Sequence, residues 1–235
     1  MGLGLVPILL AWPVLYFLFR PIEMSDTDSS EANTDQQTGK TLGEAFHDYR
    51  FWVLLLSILF AYMGFSGISP NLFPSLTDDG FSREQAASIL SVFGVSIITG
   101  RIIVGYLIDR FWAPGIAMVC LLMPVIGTII FYGDQTFIQA VFASFFIGFA
   151  AGAELDLMAF MAARYFGLRH YAKIYSILYA SLAVCSGTAP MLFASVYDRT
   201  ASYDLGFSVA TVLFLISSLI ILSLGRYPRA YANAH

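Results

Sequence analysis

Long apolar segments constrain the fold of this chain more than any other feature of its sequence. Seven segments of about 20 mainly apolar residues occur, and a helix of that length spans the hydrocarbon core of a bilayer. They cover residues 2–19, 51–73, 86–108, 114–132, 137–159, 174–197 and 205–224. Of the 235 residues 58% are hydrophobic and 12% are charged, so there are too few charges to cover a soluble surface. We therefore predict an all-α membrane protein with seven transmembrane helices.

The distribution of positive charge predicts the orientation of these helices, because Lys and Arg in short loops stay on the cytoplasmic side. If the polar stretch after the first segment is cytoplasmic, nine cations lie inside and two outside. The inner group is Arg20, Lys40, Arg50, Arg110, Arg164, Arg169, Lys173, Arg226 and Arg229, and the outer group is Arg83 and Arg199. The sequence thus predicts a multi-pass protein of the inner or plasma membrane with a cytoplasmic C-terminus.

This orientation divides the chain into four parts. They are a transmembrane helix, a cytoplasmic linker with an interfacial lead-in, a six-helix bundle and a cytoplasmic tail, at residues 1–20, 21–50, 51–225 and 226–235. An odd number of helices with an outer N-terminus and no signal sequence predicts a fragment of a longer protein. Within the bundle, Pro70 and Pro74 predict a kinked or broken end of the second segment.

Three ionisable residues lie inside predicted membrane helices, where charges are costly and usually functional. Arg101 lies on the order of 22 Å from the outer end of its segment, at 1.5 Å per residue, so it must face a cavity or a partner. Its guanidinium fork suits a carboxylate, although a structural salt bridge is the alternative. Glu154 and Asp156 point about 200° apart around one helix and cannot share a face.

The two acids therefore have different predicted roles. Asp156 follows the close-packing pattern of Gly148 and Gly152, which predicts a contact between helices. Glu154 points the other way, and we expect it to line the cavity as the counter-ion of Arg101 or as a proton carrier. Both acids are candidates for proton coupling.

A second motif lies at the cytoplasmic end of the third segment. Gly105 predicts a tight contact with another helix, and Asp109 is able to cap a neighbouring helix N-terminus. With Arg110 they form a predicted conformational latch. Two aromatic residues, Tyr175 and Tyr179, share one helix face that is either ordinary packing surface or a wall of the cavity.

The bundle also resembles a known family. The stretch from Gly100 to Arg110, GRIIVGYLIDR, resembles the eighth helix and following loop of major facilitator transporters. The run from Gly187 to Pro190, GTAP, with VYDRTASY at 196–203, resembles the eleventh helix and its outer loop. The resemblance implies that the seven helices are equivalent to helices six to twelve of a twelve-helix fold. The N-terminal six-helix bundle would then be mostly missing from this chain.

Within that superfamily, the monocarboxylate transporter and oxalate/formate antiporter branch is the most similar. Its members carry an arginine four residues before a glycine in the eighth helix, as Arg101 and Gly105 do here, and that arginine binds a substrate carboxylate. The antiporter's embedded lysine in the eleventh helix has no counterpart, since Lys173 lies at the end of the sixth segment. The resemblance thus implies a monoanion rather than a dicarboxylate as substrate.

We therefore expect a secondary transporter of small organic anions that works by alternating access in the lipid bilayer, with protons as a candidate coupling ion. An exporter of drug-like or neutral solutes is the alternative. A membrane-embedded enzyme or a sensor is a third hypothesis, but the sequence contains no catalytic constellation, phosphate-binding loop or metal-ligand spacing. We expect no cofactor, no metal and no nucleic acid as partners.

Overall fold

The computed structural model describes residues 39–133 and 135–227. The first predicted transmembrane helix, at 1–20, lies outside these residues, as do the linker up to residue 38 and the tail from residue 228. The described chain is almost entirely helical. Its α-helices are α1 (Leu42–His47), α2 (Tyr49–Ile68), α3 (Leu72–Asp78), α4 (Arg83–Ile108), α5 (Ala113–Ile130), α6 (Phe137–Phe166), α7 (Tyr171–Thr200) and α8 (Asp204–Leu222).

Within the described ranges, six helical stretches are long and apolar enough to cross a membrane. They correspond to the six predicted segments of the bundle, although most extend further than the apolar runs. A polar cap explains the extra length at the start of α4. Ser82 and Gln85 form a capping box there, and because it satisfies the first amide groups the helix extends into its polar flank. Thr136 and Gln139 form another capping box at the predicted start of α6, which extends beyond its apolar run at the C-terminal end.

The predicted break at the end of the second segment is confirmed. A 3₁₀ turn at Ser69–Asn71 contains Pro70 and separates α2 from α3. The side chain of Asn71 donates a hydrogen bond of 2.8 Å to the carbonyl of Gly67. This bond supplies a donor for a carbonyl at the point where the regular helix ends.

The helices pack in the neighbour order α4, α6, α5, α8, α2 and α7, with α6 as the most buried of the six stretches. Hydroxyl groups join two of these interfaces. Ser57 on α2 and Ser217 on α8 each donate to the other's backbone carbonyl, at 2.9 and 2.6 Å. The hydroxyls of Thr211 and Thr128 lie 2.7 Å apart between α8 and α5. In contrast, α4 and α7 have little contact among the described residues, so this side of the bundle is open.

The end of the linker is attached to the loop between α6 and α7. Gly39 forms an antiparallel bridge with Gly167, and the amide of Lys40 donates to the carbonyl of Phe166 at 2.8 Å. The Lys40 side chain forms an ion pair with Asp48, whose other carboxylate oxygen caps the start of α2. The described end of the linker is therefore part of the folded bundle.

Candidate functional site

A seam of glycines brings α4 and α6 into backbone contact. If Gly152 carried a Cβ atom, that atom would lie 2.0 Å from the carbonyl oxygen of Ile97. At Gly148 it would lie 2.5 Å from the carbonyl oxygen of Phe93, and at Gly100 it would lie 2.1 Å from that of Phe149. Only glycine allows such an approach, so the predicted close contact at the Gly148 and Gly152 face is confirmed.

The seam also sets the register between the two helices. Phe93 faces Gly148, and Ile97 faces Gly152, so the helices run in parallel with a constant offset. About one helical turn further along both helices, the same offset places Arg101 opposite Asp156. The Nε atom of Arg101 lies 3.4 Å from Oδ2 of Asp156. The glycines thus direct the two charged side chains towards each other.

This ion pair is accessible from outside the bundle. The side chain of Arg101 is 54% exposed and that of Asp156 is 36% exposed. The contact between them involves one nitrogen of the guanidinium, which has five N–H donors. A further anion can therefore approach the remaining donors without a rearrangement of the helices.

The prediction that Glu154 is the counter-ion of Arg101 is wrong, because Asp156 occupies that position. Glu154 points into the bundle and is only 7% exposed. It lines a small cavity between α2, α5, α6 and α8, together with Ser57, Cys120 and Met161. The cavity has room for about one water molecule. Glu154 and Asp156 do point in different directions around α6, as the sequence implied, but Glu154 is the one that points into the interior.

The carboxyl of Glu154 is not fully satisfied there. Its Oε1 atom is buried and has no hydrogen-bond partner in the described chain. Ser57, on the same cavity, already donates its hydroxyl proton to the backbone of Ser217. Cys185 on α7 lies within electrostatic reach of Glu154. Buried polar atoms without partners are uncommon in native structures, so this carboxyl is a candidate for a functional role.

Tyrosines on α7 line the open side of the bundle. Tyr171, Tyr175 and Tyr179 follow each other at intervals of one helical turn, with ring centroids 5.5 and 6.1 Å apart. Tyr175 lies close enough to Asp156 for the two groups to interact electrostatically. Tyr179 is 51% exposed. The structure thus places Tyr175 near the charged pair and extends the predicted tyrosine face by Tyr171.

The predicted latch residues lie at the C-terminal end of α4, where Gly105 is one helical turn beyond Arg101. A Cβ atom on Gly105 would meet nothing within 4 Å, so the predicted tight helix contact there is wrong for the described chain. Arg110 lies over the ring of Tyr106, with 4.2 Å between its Cζ atom and the ring centroid. Within residues 39–133 and 135–227, the side chain of Asp109 caps no helix. All three residues face the outside of the bundle, and their role as a latch remains a prediction.

Two features of the site were missed from the sequence. The partner of Arg101 could be found only from the register between α4 and α6, because the two residues lie on helices distant in sequence. The spacing of Gly148, Gly152 and Asp156 indicated the correct face of α6 but not which helix packs there. Tyr171 was detectable, since it precedes Tyr175 by one helical turn.

These helices and the accessible ion pair define a multi-pass α-helical membrane protein with a charged site on an open side of its bundle. Comparison with known proteins agrees with this class. The Major Facilitator Superfamily model matches residues 2–110 and 54–234. The chain therefore belongs to the major facilitator superfamily, whose members are transporters rather than enzymes.

Individual relatives are consistent with this assignment. The chain is 30% identical over 175 residues to Monocarboxylate transporter 12 of Mus musculus, which covers 73% of this chain and 36% of that protein. It is 28% identical over 176 residues to Monocarboxylate transporter 12 of Homo sapiens, over 73% of this chain and 34% of the relative. An uncharacterized MFS-type transporter of Escherichia coli, YhjX, is 22% identical over 183 residues, which cover 74% and 44% of the two chains.

The chain thus spans about a third of the length of its monocarboxylate transporter relatives. A solved structure shares its fold. The crystal structure of the major facilitator transporter FucP in the outward conformation superposes with a TM-score of 0.67 at 15% identity. The match covers 95% of this chain and 54% of FucP.

Proposed function

We propose that this chain is the C-terminal bundle, with one preceding helix, of a secondary transporter of small organic anions, monocarboxylates in particular. One observation carries the proposal. Arg101 is half exposed on the open side of the bundle and is held by a single 3.4 Å contact to Asp156. A guanidinium in this position offers its remaining N–H groups to an incoming carboxylate. The names of the relatives support the choice of a monocarboxylate.

The open side between α4 and α7 is where a second bundle would complete the binding cavity. In this arrangement Arg101 binds the substrate carboxylate, and Tyr175 and Tyr179 provide an aromatic wall for the organic part. Alternating access then exposes this half-site to one side of the membrane at a time. The missing half-site would belong to an N-terminal six-helix bundle, joined to this one through the cytoplasmic linker.

Charge balance favours coupling to a proton. Arg101 and Asp156 neutralise each other in the structure, so a bound monoanion gives the site a net charge of −1. A proton on Asp156 would restore neutrality, and a neutral site crosses the membrane interior at lower energy. We therefore assign the coupling proton to Asp156, while Glu154 is a second candidate because its carboxyl is buried without a full set of partners.

The test is radiolabelled monocarboxylate uptake by the transporter that carries this bundle. Arg101→Gln should lower the apparent affinity by at least about ten-fold, since a hydrogen bond to a charged group contributes about 1.5–3 kcal/mol. Arg83→Gln, at the start of the same helix, is the matched control and should leave uptake unchanged. Unchanged uptake in a correctly inserted Arg101→Gln protein would remove this arginine from the site.

A comparison of Asp156→Asn with Glu154→Gln tests the proton. Asp156→Asn should abolish the dependence of uptake on an imposed pH gradient, while exchange of labelled for unlabelled anion continues. Full pH dependence in Asp156→Asn, with its loss in Glu154→Gln, would move the coupling role to Glu154.

The ion pair itself favours a second candidate function. If Asp156 holds Arg101 permanently, the pair is structural and the open side suits a drug-like or neutral solute, as in an exporter. Acetate, lactate and pyruvate distinguish the two functions. All three should compete with a labelled monocarboxylate in an anion transporter and should have no effect on an exporter of neutral solutes.

The proposed orientation places the linker and the C-terminus in the cytoplasm of a cell with this protein in its inner or plasma membrane. Gly105, Asp109 and Arg110 would then face the cytoplasmic end of the absent bundle. Their exposure at the end of α4 is consistent with a latch that forms between the two bundles, rather than within this one.

A further inference from the structure

Two arginines flank a pair of tyrosine rings at the end of the bundle where the linker enters. Arg50 lies in the first turn of α2, and its Cζ atom is 5.7 Å from the ring centroid of Tyr165. Arg164 lies in the last turn of α6, with its Cζ atom 5.8 Å from the ring centroid of Tyr227. The two ring centroids are 5.3 Å apart. We call these four residues the arginine–tyrosine cluster.

The rings are held in place by their hydroxyl groups. Tyr165 donates a hydrogen bond of 2.6 Å to the carbonyl of Gly225, and Tyr227 accepts one of 2.8 Å from the amide of Ala113. These bonds tie the end of α6 to the start of α5 and to the chain after α8. The ring faces are therefore fixed platforms for the two guanidinium groups, which interact favourably with aromatic faces.

Among residues 39–133 and 135–227, no hydrogen-bond acceptor lies at the buried Nε atom of either arginine, Arg50 or Arg164. Neither arginine forms a salt bridge with a described residue. Buried donors without acceptors are uncommon and costly in native structures. Both guanidinium groups therefore carry a positive charge that no described carboxylate neutralises.

The local charge is also unbalanced. Asp48 accepts a hydrogen bond from the backbone amide of Arg50 at 3.0 Å, but its carboxylate already forms the ion pair with Lys40. The guanidinium of Arg50 therefore forms no ion pair with this carboxylate. The N-terminal end of α2 adds the positive end of its helix dipole to the charge of Arg50. This end of the bundle should therefore attract an anion.

Two tryptophans show the depth of the cluster relative to the membrane. The indole N–H of Trp52 donates to the carbonyl of Phe46 at 3.0 Å, and that of Trp112 donates to Gly225 at 3.3 Å. Their side chains are 48% and 41% exposed. Exposed tryptophans at the ends of membrane helices lie at the level of the lipid headgroups. The cluster shares an anchoring carbonyl, that of Gly225, with Trp112, so it lies at the same level.

We propose that Arg50 and Arg164 bind the phosphate of an anionic phospholipid headgroup at this end of the bundle. A phosphate diester presents oxygen acceptors to the free guanidinium donors and supplies the missing negative charge. Its acyl chains reach the apolar surface of the neighbouring helices. Basic pockets between membrane helices bind anionic headgroups in this way. The site is distinct from Arg101 and does not depend on the transported substrate.

The test is lipid binding by the purified chain in detergent, measured by native mass spectrometry with phosphatidylglycerol and with phosphatidylcholine. The chain should retain phosphatidylglycerol in preference to phosphatidylcholine. The double variant Arg50→Gln/Arg164→Gln should bind phosphatidylglycerol about thirty-fold more weakly, because each basic residue near a membrane surface contributes about five-fold. Arg83→Gln, in the first turn of α4 at the other end, is the matched control and should bind as the unchanged chain does.

Three results would overturn the proposal. They are equal binding of the two lipids, undiminished phosphatidylglycerol binding by the double variant, and displacement of the lipid by excess inorganic phosphate, which would indicate a soluble anion. If the double variant does not fold, Arg50→Lys/Arg164→Lys decides the question. Lysine keeps the charge but lacks the planar fork, so this variant should remain selective for the anionic lipid with weaker binding.

Discussion

The substitution Gly152→Ala tests the seam that positions the candidate site. The added methyl group would lie 2.0 Å from the carbonyl oxygen of Ile97, whereas contacts of a Cβ atom below 3.0 Å are essentially never observed. The obstacle is backbone, so no side chain can rotate away. The two helices must therefore move apart by about 1 Å, which also weakens the ion pair between Arg101 and Asp156.

The magnitude follows from two opposing effects. Overpacking of a tight interface costs about 1–3 kcal/mol, and the rigid obstacle at Gly152 argues for the upper end. The replacement of a helical glycine by alanine stabilises the helix by about 1 kcal/mol. The expected net loss is about 2 kcal/mol, which corresponds to a melting temperature lower by about 4–8 °C for a chain of this size.

The assay is thermal unfolding in detergent, followed by intrinsic tryptophan fluorescence. Gly94→Ala is the matched control, because this glycine lies on the partner helix α4 and a Cβ atom there would meet nothing within 4 Å. The control should be as stable as the unchanged chain or slightly more so. A Gly152→Ala protein with the same melting temperature as Gly94→Ala would refute the argument that α4 and α6 are in backbone contact.

Two further predictions concern other parts of the bundle. Ser217→Ala should destabilise the chain by about 1 kcal/mol, because it removes the donor to the Ser57 carbonyl between α2 and α8, and a double-mutant cycle with Ser57→Ala measures their coupling. Burial of Asp48 opposes its ionisation, but the hydrogen bonds from the Lys40 side chain and the Arg50 amide outweigh it and lower the pKa of this carboxyl. The attachment of the linker should therefore persist at neutral and mildly acidic pH and weaken only as pH falls through that lowered pKa. Hydrogen exchange of residues 39–48 that increased already near neutral pH would contradict this.

The sequence contains enough information for the helices of the described bundle but not for their mutual rotation. Apolar length located all six segments, and Pro70 located the break after α2 because its physical effect is local. The helix ends were less predictable. The cap at Ser82 lies outside the apolar run of α4, so a search for hydrophobic residues stops short of it.

In the candidate site, too, the residue could be found from the sequence but its partner could not. Arg101 stands out in the sequence because a charge in an apolar helix is rare. The choice between Glu154 and Asp156 as its partner depends on which face of α6 meets α4, and that is a tertiary property. Gly105 meets no other helix within the described bundle, and its role in a latch stays a prediction. Glycine permits a close contact, but its presence does not show that another helix is there.

The glycine seam has a mechanical consequence for the bundle. Between α4 and α6 no layer of side chains separates the backbones at Gly100 and Gly152. Side-chain rearrangement therefore cannot accommodate sliding or rotation of one helix against the other. The two helices should therefore move together as one rigid body. Deformation within the bundle is easier at α7, which packs mainly against α2 and carries Pro190 in its interior.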